Sequence, residues 1–523
     1  MPTPDALPPP QVCEQARLSR DARFDGLFFT AVTSTGIYCR PMCPAPAPKP
    51  RNIVYMRTAA AAEAAGFRPC LRCRPELSPL DGAWRRGDAA VARALTLIDQ
   101  GALAEQPLSA LAERIGIGER QLRRLFVDRV GASPIGVHGT RRLLFAKQLL
   151  TDTALPITDV ALAAGYGSLR RFNTTFKTAY RMAPRDLRRS RATAVADVLA
   201  HDATLILRLG YRPPYDFAAM LAFLRGRALP GVEIVDDASY TRVIGGTAAD
   251  ARPGWLRVSA WPKAEHALRL ELYAPQAARL LDIVGRLRRM FDLDADPATI
   301  AAALSHDPRL KPLLRKHPGQ RLPSGWDGFE IAVRAILGQQ VSVAAARTFA
   351  ARIAQRFGTP LPDAMAMTGL THAFPTADAL ADADLGAIGL TRARADTVRT
   401  VSRALLAGDV DFCAGRTLDD LVARWTALPG VGPWTAHYIA MRALGHPDAF
   451  PADDLVLQKC VPGEPATAKA GGTRMSAKAL TARAEAWRPW RAYATIHLWR
   501  DAMATAAPTP PSQQQRRRGG AFA

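Results

Sequence analysis

The sequence has no long hydrophobic run. No stretch of the 523 residues approaches the roughly twenty apolar residues that span a bilayer. The first residues, Met-Pro-Thr-Pro-Asp, also lack the charged-then-apolar pattern of a secretory signal. These absences argue against a membrane protein or a membrane partner and predict a cytoplasmic protein.

Acidic residues are few relative to basic ones. The chain carries 47 Asp and Glu against 69 Lys and Arg, a formal net charge of +22. Such a balance predicts a polyanionic partner, nucleic acid above all. The excess is shared between residues 1–200 and the remainder, so we expect both halves to contact nucleic acid. A chain of this length is expected to form several domains.

Cysteine is also scarce, with seven residues, yet four of them are clustered. Their pattern is Cys39-x3-Cys43 followed by Cys70-x2-Cys73. Disulfides are not expected in a cytosolic chain, whereas two close pairs of thiolates suit tetrahedral Zn²⁺. The spacing therefore predicts one four-cysteine zinc site, and taken alone it favours a purely structural zinc ribbon. We expect no organic cofactor.

The residues around these cysteines resemble the N-terminal domain of the adaptive-response regulator Ada. The resemblance rests on a strand-like run at 28–32, on Thr35-Gly36-Ile37-Tyr38-Cys39-Arg40-Pro41, and on residues 64–73. It implies that Cys39 accepts a methyl group from a methylated DNA phosphate, stoichiometrically. It also implies that Thr35, Arg68 and Arg72 contact the DNA backbone. A proline-rich loop after Cys43 replaces a basic residue of the family.

Methylation of one zinc thiolate removes one negative charge from the site. Because that charge repels DNA, we expect repair to raise DNA affinity, and the resemblance implies that this change activates transcription.

Residues 84–195 contain one pattern twice. Leu111-Ala112 and Gly116 precede a basic helix, and Val160-Ala161 and Gly165 precede another. Two such units resemble the AraC-type DNA-binding domain. The resemblance implies that each basic helix lies in the major groove of promoter DNA and that the protein contacts RNA polymerase once Cys39 is methylated. The candidate DNA-binding residues are Arg120, Arg123, Arg124, Arg170 and Arg171. A merely solvated helix face remains open for each of them.

Residues 196–320 alternate short β-prone runs with two helical stretches, which predicts a small antiparallel sheet. The segments 213–217 and 289–293, with Phe223-Leu224 between them, resemble the N-terminal part of 3-methyladenine DNA glycosylase II (AlkA). We identify no cluster of titratable residues here and expect a supporting role.

A glycine turn flanked by helical residues stands near the C-terminus: Leu428-Pro429-Gly430-Val431-Gly432-Pro433-Trp434-Thr435-Ala436-His437-Tyr438. Phe450-Pro451-Ala452-Asp453-Asp454 follows. We expect the backbone of Gly430, Val431 and Gly432 to hold a DNA phosphate at the start of the second helix. The order of helix, hairpin, Gly/Pro and Asp resembles the helix-hairpin-helix glycosylase superfamily, and the longer match resembles AlkA.

This resemblance implies that Asp454 carries catalysis by stabilising the positive charge that develops on the sugar. We expect Asp453 to cap the following helix. Trp434, Tyr438 and Trp499 match the base-pocket aromatics, whose faces attract cationic purines. Ordinary core packing is the alternative for these three rings.

The chain departs from the family at two positions near this site. Gln340 aligns with the apolar residue that wedges into the base stack. Leu455 replaces a pocket tyrosine. Trp434 stands where bifunctional relatives carry a lysine, so we predict a monofunctional enzyme that leaves an abasic site.

The predicted fold class is multidomain and mainly α with α+β parts. It comprises a small zinc-binding α/β domain (1–83), an all-α double helix-turn-helix domain (84–195), an antiparallel-sheet subdomain (196–320), an all-α helix-hairpin-helix glycosylase domain (321–505) and a disordered basic tail (506–523).

The predicted function is DNA alkylation repair and its regulation. The chain would act as a DNA-3-methyladenine glycosylase II on double-stranded alkylated DNA and as a stoichiometric methyl acceptor, in the cytoplasm and associated with the nucleoid. The alternative is a methylation-responsive regulator with an inactive glycosylase-like domain. No cysteine is followed by histidine, so the reactive Pro-Cys-His segment of typical Ada proteins, and with it O6-alkylguanine repair, is expected to be missing.

Overall fold

The computed structural model describes residues 7–80, 89–99, 101–189, 205–245, 253–262, 266–273, 280–363, 367–412, 416–460 and 474–506. The predicted basic tail (506–523) lies almost wholly outside these ranges. Within the described residues, no helix is both long and apolar enough to cross a membrane.

The N-terminal domain is a small mixed sheet flanked by helices. Its elements are α1 (Pro10–Leu18), β1 (Phe29–Val32), β2 (Ile37–Cys39), β3 (Ile53–Met56), α2 (Ala59–Ala64) and β4 (Arg68–Pro69). The strand order is β3-β1-β2-β4, with β1 antiparallel to both neighbours and β2 parallel to β4. The predicted strand at 28–32 is confirmed.

Two helix-turn-helix units follow, as predicted. The helices are α3 (Ala89–Asp99), α4 (Ala102–Glu105), α5 (Leu108–Ile115), α6 (Glu119–Val130), α7 (Pro134–Asp152), α8 (Ile157–Ala163), α9 (Leu169–Tyr180) and α10 (Pro184–Arg189). Gly116 and Gly165 adopt φ of 82° and 77°. These left-handed conformations suit glycine and form the turn of each unit.

The next subdomain is a five-stranded antiparallel sheet with the order β5-β9-β8-β7-β6. Its elements are β5 (Leu205–Gly210), α11 (Phe217–Arg225), β6 (Glu233–Val235), β7 (Ser239–Ile244), β8 (Gly254–Ala260), β9 (Ala267–Tyr273), α12 (Leu280–Met290), α13 (Pro297–Leu304) and α14 (Leu310–Lys316). The predicted sheet is confirmed.

The C-terminal domain is helical. It contains α15 (Gly328–Leu337), α16 (Val343–Phe357), α17 (Ala377–Ala381), α18 (Arg392–Ala407), α19 (Leu418–Thr426), α20 (Pro433–Ala443), α21 (Leu455–Cys460), α22 (Ala477–Ala484) and α23 (Arg491–Ala506). A continuous apolar core joins α15, α18, α20 and α23 through residues such as Ile336, Val398, Ile439 and Leu498. This core supports the glycine turn between α19 and α20.

The domains pack closely against one another. Arg212 is fully buried and donates to the backbone oxygens of Asp25 and Leu80, both at 2.7 Å. Lys147 of α7 forms an ion pair with Glu76, and both side chains are fully buried. The zinc domain is thus joined to both the helix-turn-helix domain and the sheet subdomain by buried polar contacts.

The expectation that residues 196–320 hold no titratable cluster is wrong. Glu233 accepts a hydrogen bond from the Tyr240 hydroxyl at 2.6 Å, and Arg242 pairs with Glu330 of α15 at 2.8 Å. Arg334 bridges Glu330 and Glu233 at 2.8 and 3.2 Å. Burial would raise the pKa of Glu330, but the two guanidinium groups lower it. Two of its five residues, Glu330 and Arg334, lie on a helix that is distant in sequence, so sequence proximity does not reveal the network.

Candidate functional site

The four clustered cysteines converge in space. The Sγ atoms of Cys39, Cys43, Cys70 and Cys73 all lie within 4.8 Å of one another. Cys39 ends β2, and Cys70 is held beside it because its N–H donates to the Tyr38 carbonyl at 3.0 Å. Four converging thiols match the donor set of tetrahedral zinc. The cluster is therefore one Zn²⁺ site, as predicted.

The two pairs of thiols differ in exposure. Cys70 and Cys73 are each 6% exposed, whereas Cys39 and Cys43 are half-buried. An incoming methyl group can therefore reach Cys39 and Cys43 more readily than Cys70 and Cys73.

Two of the three predicted backbone-contacting residues of the zinc domain are open to solvent. Thr35 is exposed in the turn between β1 and β2, and Arg72 is exposed between the last two cysteines. Arg68 is half-buried and pairs with Ile37 across β2 and β4. All three lie on the segments that carry the thiols, and their contact with DNA stays a prediction.

The predicted helix-turn-helix arginines all lie on exposed faces of α6 and α9, opposite apolar residues such as Leu122 and Phe172. These residues are Arg120, Arg123, Arg124, Arg170 and Arg171. Arg123 forms an exposed pair with Glu119 at 2.6 Å. Their contact with DNA stays a prediction.

At one position of the glycine turn, the backbone conformation and the lack of space for a Cβ both require glycine. Gly430 has φ of 84°, and a Cβ there would lie 2.1 Å from Thr397 Oγ1. Val431 is buried and anchors the turn in the core. Gly432 is exposed and is the N-cap of α20 without a side-chain hydrogen bond. The first amides of α20 are thus not capped by a side chain, which suits a phosphate oxygen.

Gln340 is exposed at the turn between α15 and α16 and has φ of 56°, which is uncommon for a residue other than glycine. The adjacent Gln339 donates through its side-chain amide to the Gly430 carbonyl and to Thr435 Oγ1, both at 3.0 Å. Arg394 donates to the Gln339 carbonyl at 2.6 Å. The residue next to the predicted wedge Gln340 is therefore hydrogen-bonded to the glycine turn.

Asp454 lies at the start of α21 and accepts hydrogen bonds from two indoles. The Nε1 of Trp434 lies 3.2 Å and that of Trp499 lies 3.1 Å from its carboxylate oxygens. The backbone N–H groups of Val456 and Leu457 donate to the same carboxylate at 3.0 Å.

Asp454 thus caps α21, and the expectation that Asp453 does so is wrong. Asp453 is exposed, and the amides of Val456 and Leu457 donate to Asp454 instead.

The three predicted pocket aromatics meet in one wall beside Asp454. Trp434 and Tyr438 stack with ring centroids 5.0 Å apart and planes 20° apart. Tyr438 and Trp499 follow at 6.4 Å and 40°. Leu455, which replaces a family tyrosine, is 54% exposed.

Sequence reasoning missed the cationic surroundings of Tyr438. Arg442 donates to the Tyr438 hydroxyl at 3.0 Å. The guanidinium carbons of Arg442 and Arg227 also lie over the ring of Phe223, at 4.7 and 3.8 Å from its centroid. Burial lowers the pKa of Arg442 to about 10. Burial would raise the pKa of Tyr438, but the charges of Arg442, Arg227 and Arg334 lower it. The spacing of Tyr438 and Arg442, one helical turn apart, could have revealed this pair.

Four family models match the chain in order. They are the metal binding domain of Ada (residues 12–76), a helix-turn-helix domain (111–190), the AlkA N-terminal domain (206–327) and the HhH-GPD superfamily of base excision DNA repair proteins (333–463).

The chain is 42% identical over 489 residues to a Mycobacterium tuberculosis protein named "probable bifunctional transcriptional activator/DNA repair enzyme AlkA", covering 93% of this chain and 95% of that one. It is 35% identical over 295 residues to DNA-3-methyladenine glycosylase 2 of Escherichia coli, covering 56% of this chain and 95% of the relative. It is 39% identical over 122 residues to the bifunctional transcriptional activator/DNA repair enzyme Ada of Escherichia coli, covering 23% of this chain and 32% of the relative.

The order of matched domains and the two sites define the class: an Ada-type zinc domain and a helix-turn-helix domain joined to a base-excision glycosylase. The chain belongs to the family of AlkA-type bifunctional transcriptional activators and DNA repair enzymes.

Proposed function

We propose that this protein repairs alkylated DNA in two ways and regulates the response to that damage. The C-terminal half is a monofunctional DNA-3-methyladenine glycosylase that hydrolyses the N-glycosidic bond. The zinc domain transfers methyl groups from DNA methylphosphotriesters to Cys39. The observation that carries the enzyme assignment is the carboxylate of Asp454, held by the indoles of two predicted pocket aromatics.

Base release begins when the damaged nucleotide leaves the duplex, because its glycosidic bond is inaccessible in the stack. Gln340 fills the space that the base vacates, and the turn at Gly430 grips the neighbouring phosphate. The alkylated purine carries a positive charge and rests against the aromatic wall. As the bond to the base breaks, Asp454 stabilises the positive charge on the sugar, and water then completes hydrolysis. Trp434 stands in place of a Schiff-base lysine, so the product is an abasic site.

The variant Asp454→Asn tests the enzyme assignment. The amide keeps the shape of the carboxylate but loses its charge, so release of 3-methyladenine from methylated DNA should fall about 10²- to 10³-fold. Binding to DNA should persist, because the Gly430 turn and the basic surface are unchanged. Base release is measured by chromatography and binding by fluorescence anisotropy.

Asp453→Asn is the matched control, since Asp453 is the exposed neighbour. It should retain full activity. Undiminished release by Asp454→Asn would reject the catalytic role. Absence of release by the wild-type protein would favour the alternative of a regulator with an inactive glycosylase-like domain.

Methyl transfer follows from the zinc site. The Cys39 thiolate attacks the methyl carbon of the phosphotriester, a C–S bond forms, the C–O bond breaks, and the phosphodiester leaves with its negative charge. A Zn²⁺ ion held by Cys39, Cys43, Cys70 and Cys73 would keep the Cys39 thiolate deprotonated yet nucleophilic. The loss of one negative charge from the site favours DNA, so the methylated protein binds promoter DNA through α6 and α9 and contacts RNA polymerase on the nucleoid.

Mass spectrometry of the protein after exposure to methylphosphotriester DNA tests this transfer. We expect one methyl group on Cys39, none on the variant Cys39→Ser, and unchanged transfer in Cys460→Ser, a half-buried cysteine outside the cluster. Methylation of the Cys39→Ser variant would refute the assignment of Cys39.

A further inference from the structure

The two carboxylate oxygens of Asp454 are engaged unequally. Oδ1 accepts three hydrogen bonds, from the backbone N–H groups of Val456 and Leu457 at 3.0 Å each and from Trp499 Nε1 at 3.1 Å. Within the described residues, Oδ2 accepts one hydrogen bond, from Trp434 Nε1 at 3.2 Å. A carboxylate oxygen offers about two lone-pair sites. Oδ1 is therefore saturated, whereas Oδ2 retains acceptor capacity.

The backbone donors and the indoles restrain different motions. The amides of Val456 and Leu457 hold Oδ1 at the start of α21 but leave the carboxylate free to turn about that anchored oxygen. Trp499 approaches Oδ1 from α23, and Trp434 approaches Oδ2 from the first turn of α20. Donors on two different helices fix the plane of the group.

The indoles are themselves held in place. Trp499 is only 8% exposed, and the rings of Trp434, Tyr438 and Trp499 pack in sequence at 5.0 and 6.4 Å. Rotation of either indole would disturb this packing. The N–H groups are therefore preorganised, which is the condition for an electrostatic group to act without reorganisation.

We propose that Trp434 and Trp499 are positioning residues for base release that act through Asp454. Trp434 orients Oδ2, the oxygen with spare acceptor capacity, toward the sugar, and Trp499 secures Oδ1. This role of the indole N–H groups is separate from the stacking of their ring faces against a base. It rests on the proposed glycosylase function.

Replacement of each tryptophan by phenylalanine separates the two roles, because phenylalanine keeps an aromatic face and removes the N–H. We expect Trp434→Phe to lower the single-turnover rate of 3-methyladenine release from full-length protein by up to about 10²-fold. Trp499→Phe should have a smaller effect, since two backbone donors still hold Oδ1. The dissociation constant for methylated duplex DNA should change less than about twofold in both variants, a difference of only about 0.4 kcal/mol.

Trp490→Phe is the matched control. Trp490 is 5% exposed in the same core and precedes α23, and the donors to Asp454 do not include it. It should release base at the wild-type rate. A rate loss in Trp490→Phe equal to that in Trp434→Phe would overturn the inference, because general loosening of the core would then explain both.

A double-variant cycle tests whether the indole acts through the carboxylate. In the Asp454→Asn background, Trp434→Phe should cause no further loss of residual release. The residual rate is measured on DNA containing 7-methylguanine, whose cationic base leaves slowly without assistance. Losses that multiply in the double variant would mean that Trp434 acts independently, which would refute the inference.

The two proposals fail differently. If Asp454→Asn retains wild-type release, the proposed glycosylase mechanism fails. If Asp454→Asn loses activity while both phenylalanine variants keep the wild-type rate, the mechanism stands and the positioning role is wrong.

Discussion

The two reactive sites hold their negatively charged groups in opposite ways. The thiolates of the zinc domain come from two separate segments and repel one another without a cation. Among the described residues, the apolar cluster beside them is small: four buried residues, Phe29, Ala31, Tyr38 and Ala62, with three partly buried ones packed against them. The Asp454 carboxylate is instead held by N–H donors on helices that belong to the largest apolar core. A bound metal would order the first site, whereas packing orders the second. The first site is consumed by its reaction, whereas the second is regenerated.

Removal of the metal should give the largest difference between the two sites. Structural zinc sites contribute about 10–16 kcal/mol of apparent binding free energy, so chelation should unfold the cysteine-bearing domain and abolish methyl uptake. Base release at a fixed temperature should persist, because Asp454 and its donors lie in a metal-independent core. Methyl transfer and base release are assayed on the same chelated sample, and zinc restoration is the control. Equal loss of both activities would show that the second site also depends on the metal.

Loss of a buried ion pair should give the next largest effect. Lys147→Met leaves the fully buried Glu76 with Arg74 alone at 2.9 Å and should destabilise the zinc domain by about 3–5 kcal/mol. The urea midpoint for zinc release reports this change. The double variant Lys147→Met/Glu76→Gln should recover part of the loss, because it also removes the buried carboxylate charge that Lys147 neutralises. A single-variant effect below about 1 kcal/mol would contradict the prediction.

Acid should destabilise the base-release half. Burial lowers the pKa of His437, His446 and His497 to about 4 from an ordinary 6.5. Below pH 6.5 the unfolded chain therefore binds protons that the folded chain does not bind. The free energy of unfolding falls as pH falls from about 6.5 towards 4. Burial raises the pKa of Asp292 to about 6, which opposes this trend in the same window.

Thermal unfolding between pH 7 and pH 5 measures this dependence. The variant His497→Leu should reduce the slope, because one of the three buried imidazoles is gone. The exposed-site variant Asp453→Asn should leave the slope unchanged. An identical slope in wild type and His497→Leu would contradict the assigned pKa.

The smallest effect should come from the exposed arginines. Arg123→Ala removes a surface pair with Glu119, which is worth at most about 1 kcal/mol, so stability should hardly change. If Arg123 contacts a phosphate, the slope of DNA affinity against salt concentration should fall by about one. Titrations at several salt concentrations measure that slope, and Arg424→Ala on α19, another exposed helical arginine, is a comparison outside the helix-turn-helix domain. An unchanged slope would leave Arg123 as a solvated surface residue.

Local patterns predicted most of the architecture. The thiol spacing predicted the zinc site, repeated glycines predicted both helix-turn-helix units, and the family assignment is confirmed. Spacing also placed Trp434 and Tyr438 on one helical face, where the structure has them stacked. The catalytic and DNA-binding roles of these residues stay predictions.

Contacts between distant segments could not be predicted. Arg242 finds Glu330 on a helix of another domain, and Phe223 lies beneath Arg442, far along the chain. The choice between Asp453 and Asp454 as the helix cap depended on the turn after Pro451, which composition does not encode. The helix-turn-helix domain and the sheet subdomain also share one cluster of buried residues, including Phe176 and Leu270, across the expected domain boundary.

Arg212 joins the N-terminal zinc domain to the C-terminal half of the chain by buried hydrogen bonds. Its guanidinium donates to the backbone oxygens of Asp25, Leu80 and Asp294. Separation of these parts would therefore expose polar groups that are hydrogen-bonded to one another in the intact protein. The zinc domain and the base-release half are consequently held together by a buried polar contact, and not by chain connectivity alone.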